Sequence, residues 1–122
     1  MEARTDRPLA DQPDTVILAK AVPIMDNLME ASTRLDYARH VRDFSERARA
    51  ALSERQFRQV CEQYQREKGF FSERELLGIL RRPRSVIVVW KQKFSKAPGE
   101  YLAELVLVEE DGRVLIERVM VT

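Results

Sequence analysis

One cysteine, Cys61, in a chain of 122 residues excludes an internal disulfide. One histidine, His40, leaves that pair of residues short of an ordinary zinc site, so no metal is expected. Four glycines, five prolines and no low-complexity tract exclude collagen-like and linker-like classes. No apolar run approaches the roughly 20 residues a membrane-spanning helix needs. No Gly-rich phosphate loop is present, so no nucleotide cofactor is expected. Residues 1–12 alternate charged and polar side chains without an apolar signal-peptide stretch, which predicts a cytoplasmic protein. The expected organisation is a flexible segment over residues 1–13 and one domain over residues 14–122.

The net charge of +1 hides an uneven distribution. Residues 81–98 hold Arg81, Arg82, Arg84, Lys91, Lys93 and Lys96 with no acid, whereas residues 99–122 hold six acids against Arg113 and Arg118. An unopposed basic stretch would suggest a nucleic-acid surface. Here bases and acids fall on neighbouring predicted strands, so a nucleic-acid partner is not expected. Arg81, Arg82 and Arg84 remain a candidate anion site at the rim of the sheet.

Three segments, residues 86–94, 101–108 and 113–121, carry the period-2 pattern of strands. Residues 72–80 are read as a fourth strand, with a helix as the alternative because Ser72 and Glu75 have capping-box spacing. Folding the chain about Lys96-Ala97-Pro98-Gly99 sets Lys91 opposite Glu104, Val89 opposite Val106 and Phe94 opposite Tyr101. Asp111-Gly112 marks a tight hairpin. One face then collects Val88, Trp90, Phe94, Tyr101, Leu105, Leu107, Ile116 and Met120, the face expected to meet the helices. The other collects Ile87, Val89, Val106, Val108, Leu115 and Val119, with Lys91, Glu104 and Glu117 among them. An apolar second face interrupted by charges has the composition of an interface, so a homodimer through it is expected.

Upstream the period becomes helical. Apolar residues recur at Ile17, Ala21, Ile24, Leu28 and Ala31 behind a predicted N-cap at Asp14, and Pro23 should kink or split this helix. A second helix is predicted through Leu35, Tyr37, Ala38, Val41, Phe44 and Ala48. A third opens at Ser53, with Gln56 in capping-box position, and stops at Gly69. The fold class is therefore α+β, with N-terminal helices packed on a curved antiparallel sheet of about four strands.

This element order resembles the small bacterial members of the nuclear-transport-factor-two-like superfamily. The resemblance rests on Ser53-Glu54-Arg55-Gln56-Phe57, Gln63-Tyr64, Lys68-Gly69-Phe70-Phe71, Val86-Ile87-Val88-Val89-Trp90, the strand from Tyr101 to Leu107, and Glu110-Asp111-Gly112-Arg113-Val114. It implies a cone of helices around a bent sheet, a pocket at its open end, and dimers through the outer sheet face. Its enzymatic branches fit poorly. Ketosteroid-isomerase-like members need aspartates on the sheet, and Asp111 lies in a turn. Scytalone-dehydratase-like members need two histidines, and limonene-epoxide-hydrolase-like members an Asp-Arg-Asp set.

Individual residues still admit chemistry. Asp36 and His40, four apart on one helix, form either a carboxylate-oriented general base or a solvent-facing ion pair, the bland reading being preferred. Cys61 in an apolar stripe reads as a buried thiol rather than a nucleophile. Tyr64, Trp90, Phe94 and Tyr101 are candidates to line a pocket for a small apolar ligand, against their plainer role as core aromatics. The functional expectation is a homodimeric, non-catalytic ligand-binding or interaction module. A small-molecule isomerase or dehydratase is the first alternative, and a weak binder of nucleic acid or acidic partners the second.

Overall fold

The computed structural model describes residues 7–122. Four helices precede a four-stranded antiparallel sheet of order β1-β2-β3-β4, an open α+β arrangement. The helices are α1 (Asp14–Thr33), α2 (Tyr37–His40), α3 (Glu46–Ala50) and α4 (Glu54–Lys68). The strands are β1 (Phe71–Arg81), β2 (Ser85–Phe94), β3 (Tyr101–Glu110) and β4 (Arg113–Val121). The segment expected as a helix or a strand is thus strand β1, with Gly69 at a positive φ of 87° ending α4 just before it.

Part of the predicted flexible segment is packed. Leu9 sits in a 3-10 turn, Leu9–Asp11, and is 5% exposed in the core. Arg81 donates to the Ala10 and Gln12 carbonyls at 2.7 and 2.6 Å and pairs with Asp14, tying this turn to β1. Residues 1–6 of that segment lie outside the described residues. Arg81 is therefore already engaged, which leaves only Arg82 and Arg84 of the candidate anion site.

Helix α1 runs through Pro23 without splitting, and Pro13, not Asp14, is its N-cap. The second predicted helix is two short ones. Asp36 caps α2 by accepting from the Arg39 N–H at 3.1 Å, and Ser45 caps α3 by accepting from the Ala48 N–H at 3.1 Å. Between them, residues 43–45 leave helical geometry to pair with β4: the Ile116 N–H donates to the Asp43 carbonyl and the Ser45 N–H to the Ile116 carbonyl. A helix through this stretch would leave β4 an open edge at Ile116. The Ser53–Gln56 capping box of α4 is present with both hydrogen bonds.

The β2–β3 register is displaced by two residues from the predicted one. Val89 faces Glu104, Trp90 faces Ala103, Lys91 faces Leu102, and Gln92 faces Tyr101. A shift of two preserves which face each side chain occupies. Lys91 therefore stays on the outer face but pairs with Glu75 at 3.3 Å and Glu100 at 3.4 Å rather than with Glu104. Asp111 and Gly112, both at positive φ, make the tight β3–β4 turn.

A bulge in β4 matters more, because a one-residue offset exchanges faces. Val106 pairs with Arg118 but Leu107 with Ile116, so Glu117 has no partner across the ladder. Beyond it, Val119 and Val121 turn to the core and Met120 to the outside. This reverses the predicted placements of Val119 and Met120 and takes Glu117 off the outer face. The bulged Glu117 reaches α3 instead, accepting from Ser45 Oγ at 3.2 Å and from Arg47 Nε at 2.6 Å.

The core lies between α1 and the inner sheet face, where Ile17, Ala21, Met25, Val86, Val88, Ala103, Leu105 and Leu107 are fully buried. Trp90 is 3% exposed in this core, with the Arg74 guanidinium 5.3 Å from its ring and Arg74 paired to Asp26 of α1 at 2.5 Å. Gln92, fully buried, spends its amide N–H groups on the Ser72, Glu73 and Lys93 carbonyls, two of them freed by the irregular start of β1. No described helix is long and apolar enough to cross a membrane.

Candidate functional site: an apolar pocket between helices and sheet

Away from the packed core, the C-terminal half of α1 and the inner edge of the sheet diverge, and α2, α3 and α4 cross the gap without filling it. The cavity left has a volume of about 740 Å³. Met25, Leu28 and Met29 of α1 form one wall, Phe57, Val60, Cys61 and Tyr64 of α4 another, and the end of β4 a third. Phe44, Ala48, Ala51 and Leu52 complete the helical side.

Two aromatic groups flank it. At one end Tyr64, Phe71, Phe94 and Tyr101 pack with centroids 5.0–5.2 Å apart along the row, Phe94 and Tyr101 edge to face. The Lys68 ammonium lies 5.7 Å from the Tyr101 ring at this end. At the other end His40 packs against Phe57 at 4.6 Å and Phe44 at 5.5 Å, and Tyr37 lies 5.7 Å from Phe57. Tyr37 donates to the Leu52 carbonyl at 2.5 Å, which holds α2 against the entry to α4.

The polar groups of the lining are few and uncharged inside. Ser32 Oγ lies 2.7 Å from the Tyr64 hydroxyl and 3.2 Å from Cys61 Sγ, a buried chain of three hydrogen-bonding groups from α1 to α4. Gln65 reinforces this junction, donating to the Ser32 and Thr33 carbonyls at the otherwise unpaired end of α1. Burial pushes both the Cys61 thiol and the Tyr64 phenol up from their ordinary values, so both keep their protons. His40 is 9% exposed and bonds the Leu28 carbonyl, while its Nδ1 has no partner. Burial pushes its pKa down to about 4, so the imidazole is neutral near pH 7.

No protein-family model matches the chain, and no curated protein does. Its fold is shared with solved bacterial structures. One is a SEC-C motif containing protein from Rhodopseudomonas palustris, 16% identical, with a TM-score of 0.58 over 93% of this chain and 80% of that one. Another is the Bd1075 protein of Bdellovibrio bacteriovorus, 8% identical, with a TM-score of 0.51 over 85% of this chain and 39% of that one. At these identities the likeness is one of fold alone.

The pocket gathers three of the four aromatic candidates, Tyr64, Phe94 and Tyr101. Trp90 is not among its lining and belongs to the core. Asp36 and His40 are separated in role: Asp36 is an exposed cap, whereas His40 faces inward. Neither the general-base pair nor the solvent-facing ion pair survives that geometry. Ser32 escaped sequence reasoning because a lone serine near a helix end has no pattern of its own. The Ser32–Tyr64 contact joins residues 32 positions apart, and no helical or strand period spans that interval.

Proposed function

We propose that the protein is a non-catalytic binding module whose pocket takes a small, largely apolar molecule. The observation that carries this reading is the cavity of about 740 Å³ with an almost wholly apolar lining. Ligand pockets span roughly 300–1,000 Å³, whereas packed interiors leave few voids larger than a water molecule. A space of this size is poor packing unless something occupies it. The binding reading is favoured over an isomerase or dehydratase because Asp36 is spent on a helix cap and His40 has no carboxylate orienting it. In this reading the architecture is a nuclear-transport-factor-two-like cone, supported by helices that precede an open antiparallel sheet and enclose space against its inner face.

The same proposal includes a second copy of the chain on the outer sheet face. Rows Leu80-Ile87-Val106, Val89-Glu104-Met120 and Val108-Leu115 cross that face. Leu80 is 53% exposed, and Leu102 and Met120 are more than a third exposed. Lys91 and Glu104 stand among them, opposite charges that a two-fold related copy can pair across the axis.

Binding is tested with N-phenyl-1-naphthylamine, a neutral apolar fluorophore. The expected result is saturable, one-to-one enhancement that is lost when Val60, exposed and in the lining, is changed to Trp to fill the space. Absence of saturation would overturn the reading.

A further inference from the structure

Every polar group inside the cavity is neutral, and their hydrogens and lone pairs do not balance. The three hydrogens of Ser32, Cys61 and Tyr64 serve two mutual contacts, so at least one hydrogen is left over within that chain. If Tyr64 donates to Ser32 and Ser32 to Cys61, the spare hydrogen is on the thiol. If the chain runs the other way, it is on Tyr64, which is half-buried and the most open of the three. Across the pocket His40 has the opposite imbalance. The Leu28 carbonyl accepts from its ring, and since Nδ1 is the atom without a partner, the donor is Nε2 and Nδ1 carries a bare lone pair. A buried acceptor with no donor is unfavourable in a finished interior and useful in an unfilled binding site.

We propose that the ligand is an apolar molecule bearing a hydroxyl, and that this hydroxyl is anchored by donating its hydrogen to His40 Nδ1. The inference rests on the pocket reading above and names the chemical class that the pocket selects. A carboxylate is disfavoured because no cationic group lies beside His40: its ring neighbours are Phe44 and Phe57. An ether or ketone of the same shape offers only acceptors and leaves Nδ1 unpaired. A hydroxyl also accepts, so a ligand with a second polar substituent can meet the spare hydrogen at Ser32 and Tyr64. Phe57 is 2% exposed and fixed, whereas Phe44 is half-buried and is the ring that yields as the hydroxyl approaches Nδ1.

The test compares 2-naphthol with 2-methoxynaphthalene, naphthalene and 2-naphthoate by titration of the full chain at pH 7.5. The expected result is 2-naphthol binding roughly three- to tenfold more tightly than 2-methoxynaphthalene, the increment of one hydrogen bond. His40→Leu abolishes that preference while naphthalene still binds. Because His40 is the only histidine, uniform ¹⁵N-histidine labelling gives a second readout in the unaltered protein: the Nδ1 resonance moves with 2-naphthol and stays with 2-methoxynaphthalene. Equal affinity for the two compounds, a still Nδ1 resonance, or tighter binding of 2-naphthoate would overturn the hydroxyl assignment and leave the pocket reading intact. Failure of all four compounds to bind would overturn both.

Discussion

His40 is where a single residue has the largest measurable consequence. It is held neutral by burial, with a folded pKa of about 4 against an ordinary value of 6.5. The unfolded chain binds a proton that the folded protein refuses between those two values, so stability is fully present above pH 6.5 and falls as pH drops towards 4. Between pH 7 and pH 5 the loss is about 2 kcal/mol. Urea denaturation at both pH values checks this, and His40→Leu should flatten the dependence over the same interval. The sequence offered His40 through its spacing from Asp36, which suggested a pair. The structure kept the residue and discarded the pairing, because Asp36 is held by the Arg39 N–H at the start of α2. Spacing of four places two residues on one face only when both lie within the helix. Tyr64→Phe gives a companion test: it removes one hydrogen bond to Ser32 and should cost about 1 kcal/mol in the same assay.

Among the elements, those with strong local chemistry were legible and those decided by long-range pairing were not. The Ser53–Gln56 box, the Gly69 stop and the Asp111-Gly112 turn all formed where the residues indicated. The register of β2 on β3 missed by two, since opposite-charge matching chose Glu104 for Lys91, which instead takes Glu75 and Glu100. The bulge at Glu117 left no trace in the apolar pattern, because β-branched and long apolar residues lie on both sides of it. Gly69 allows a sharp test of how α4 is docked. A Cβ there would lie 2.4 Å from Ser95 Oγ and 2.9 Å from the Lys96 backbone N, besides the unfavourable φ of 87°. Gly69→Ala should therefore destabilise by more than about 1 kcal/mol. The Gly112→Ala change meets no neighbour and bears only the positive-φ penalty, so thermal melting should rank it as the milder of the two.

At the scale of the whole molecule, the two faces of the sheet have separate fates. The inner face is closed by α1 over half its area and opens into the pocket over the rest. The outer face has no covering element among the described residues, yet Ile87 and Leu115 on it are each only 8% exposed. Their neighbours in the curved sheet shield them, and the more exposed Leu80 and Leu102 extend the apolar surface outward. Val106 sits in the centre of this face, beside Ile87 and across from Arg118. A Val106→Glu substitution leaves the core untouched, since the side chain is outside it, but places a carboxylate where a second copy would exclude water. If two copies meet here, light scattering should show a dimer for the unaltered protein and a monomer for the variant, with thermal melting of the monomeric unit little changed. A monomer in both cases would remove the outer face as an interface and leave the pocket as the only surface built for a partner molecule. A dimer in both would place the contact at an edge strand or on the helices, and the pairing of Lys91 with Glu104 across a two-fold axis would fall with it.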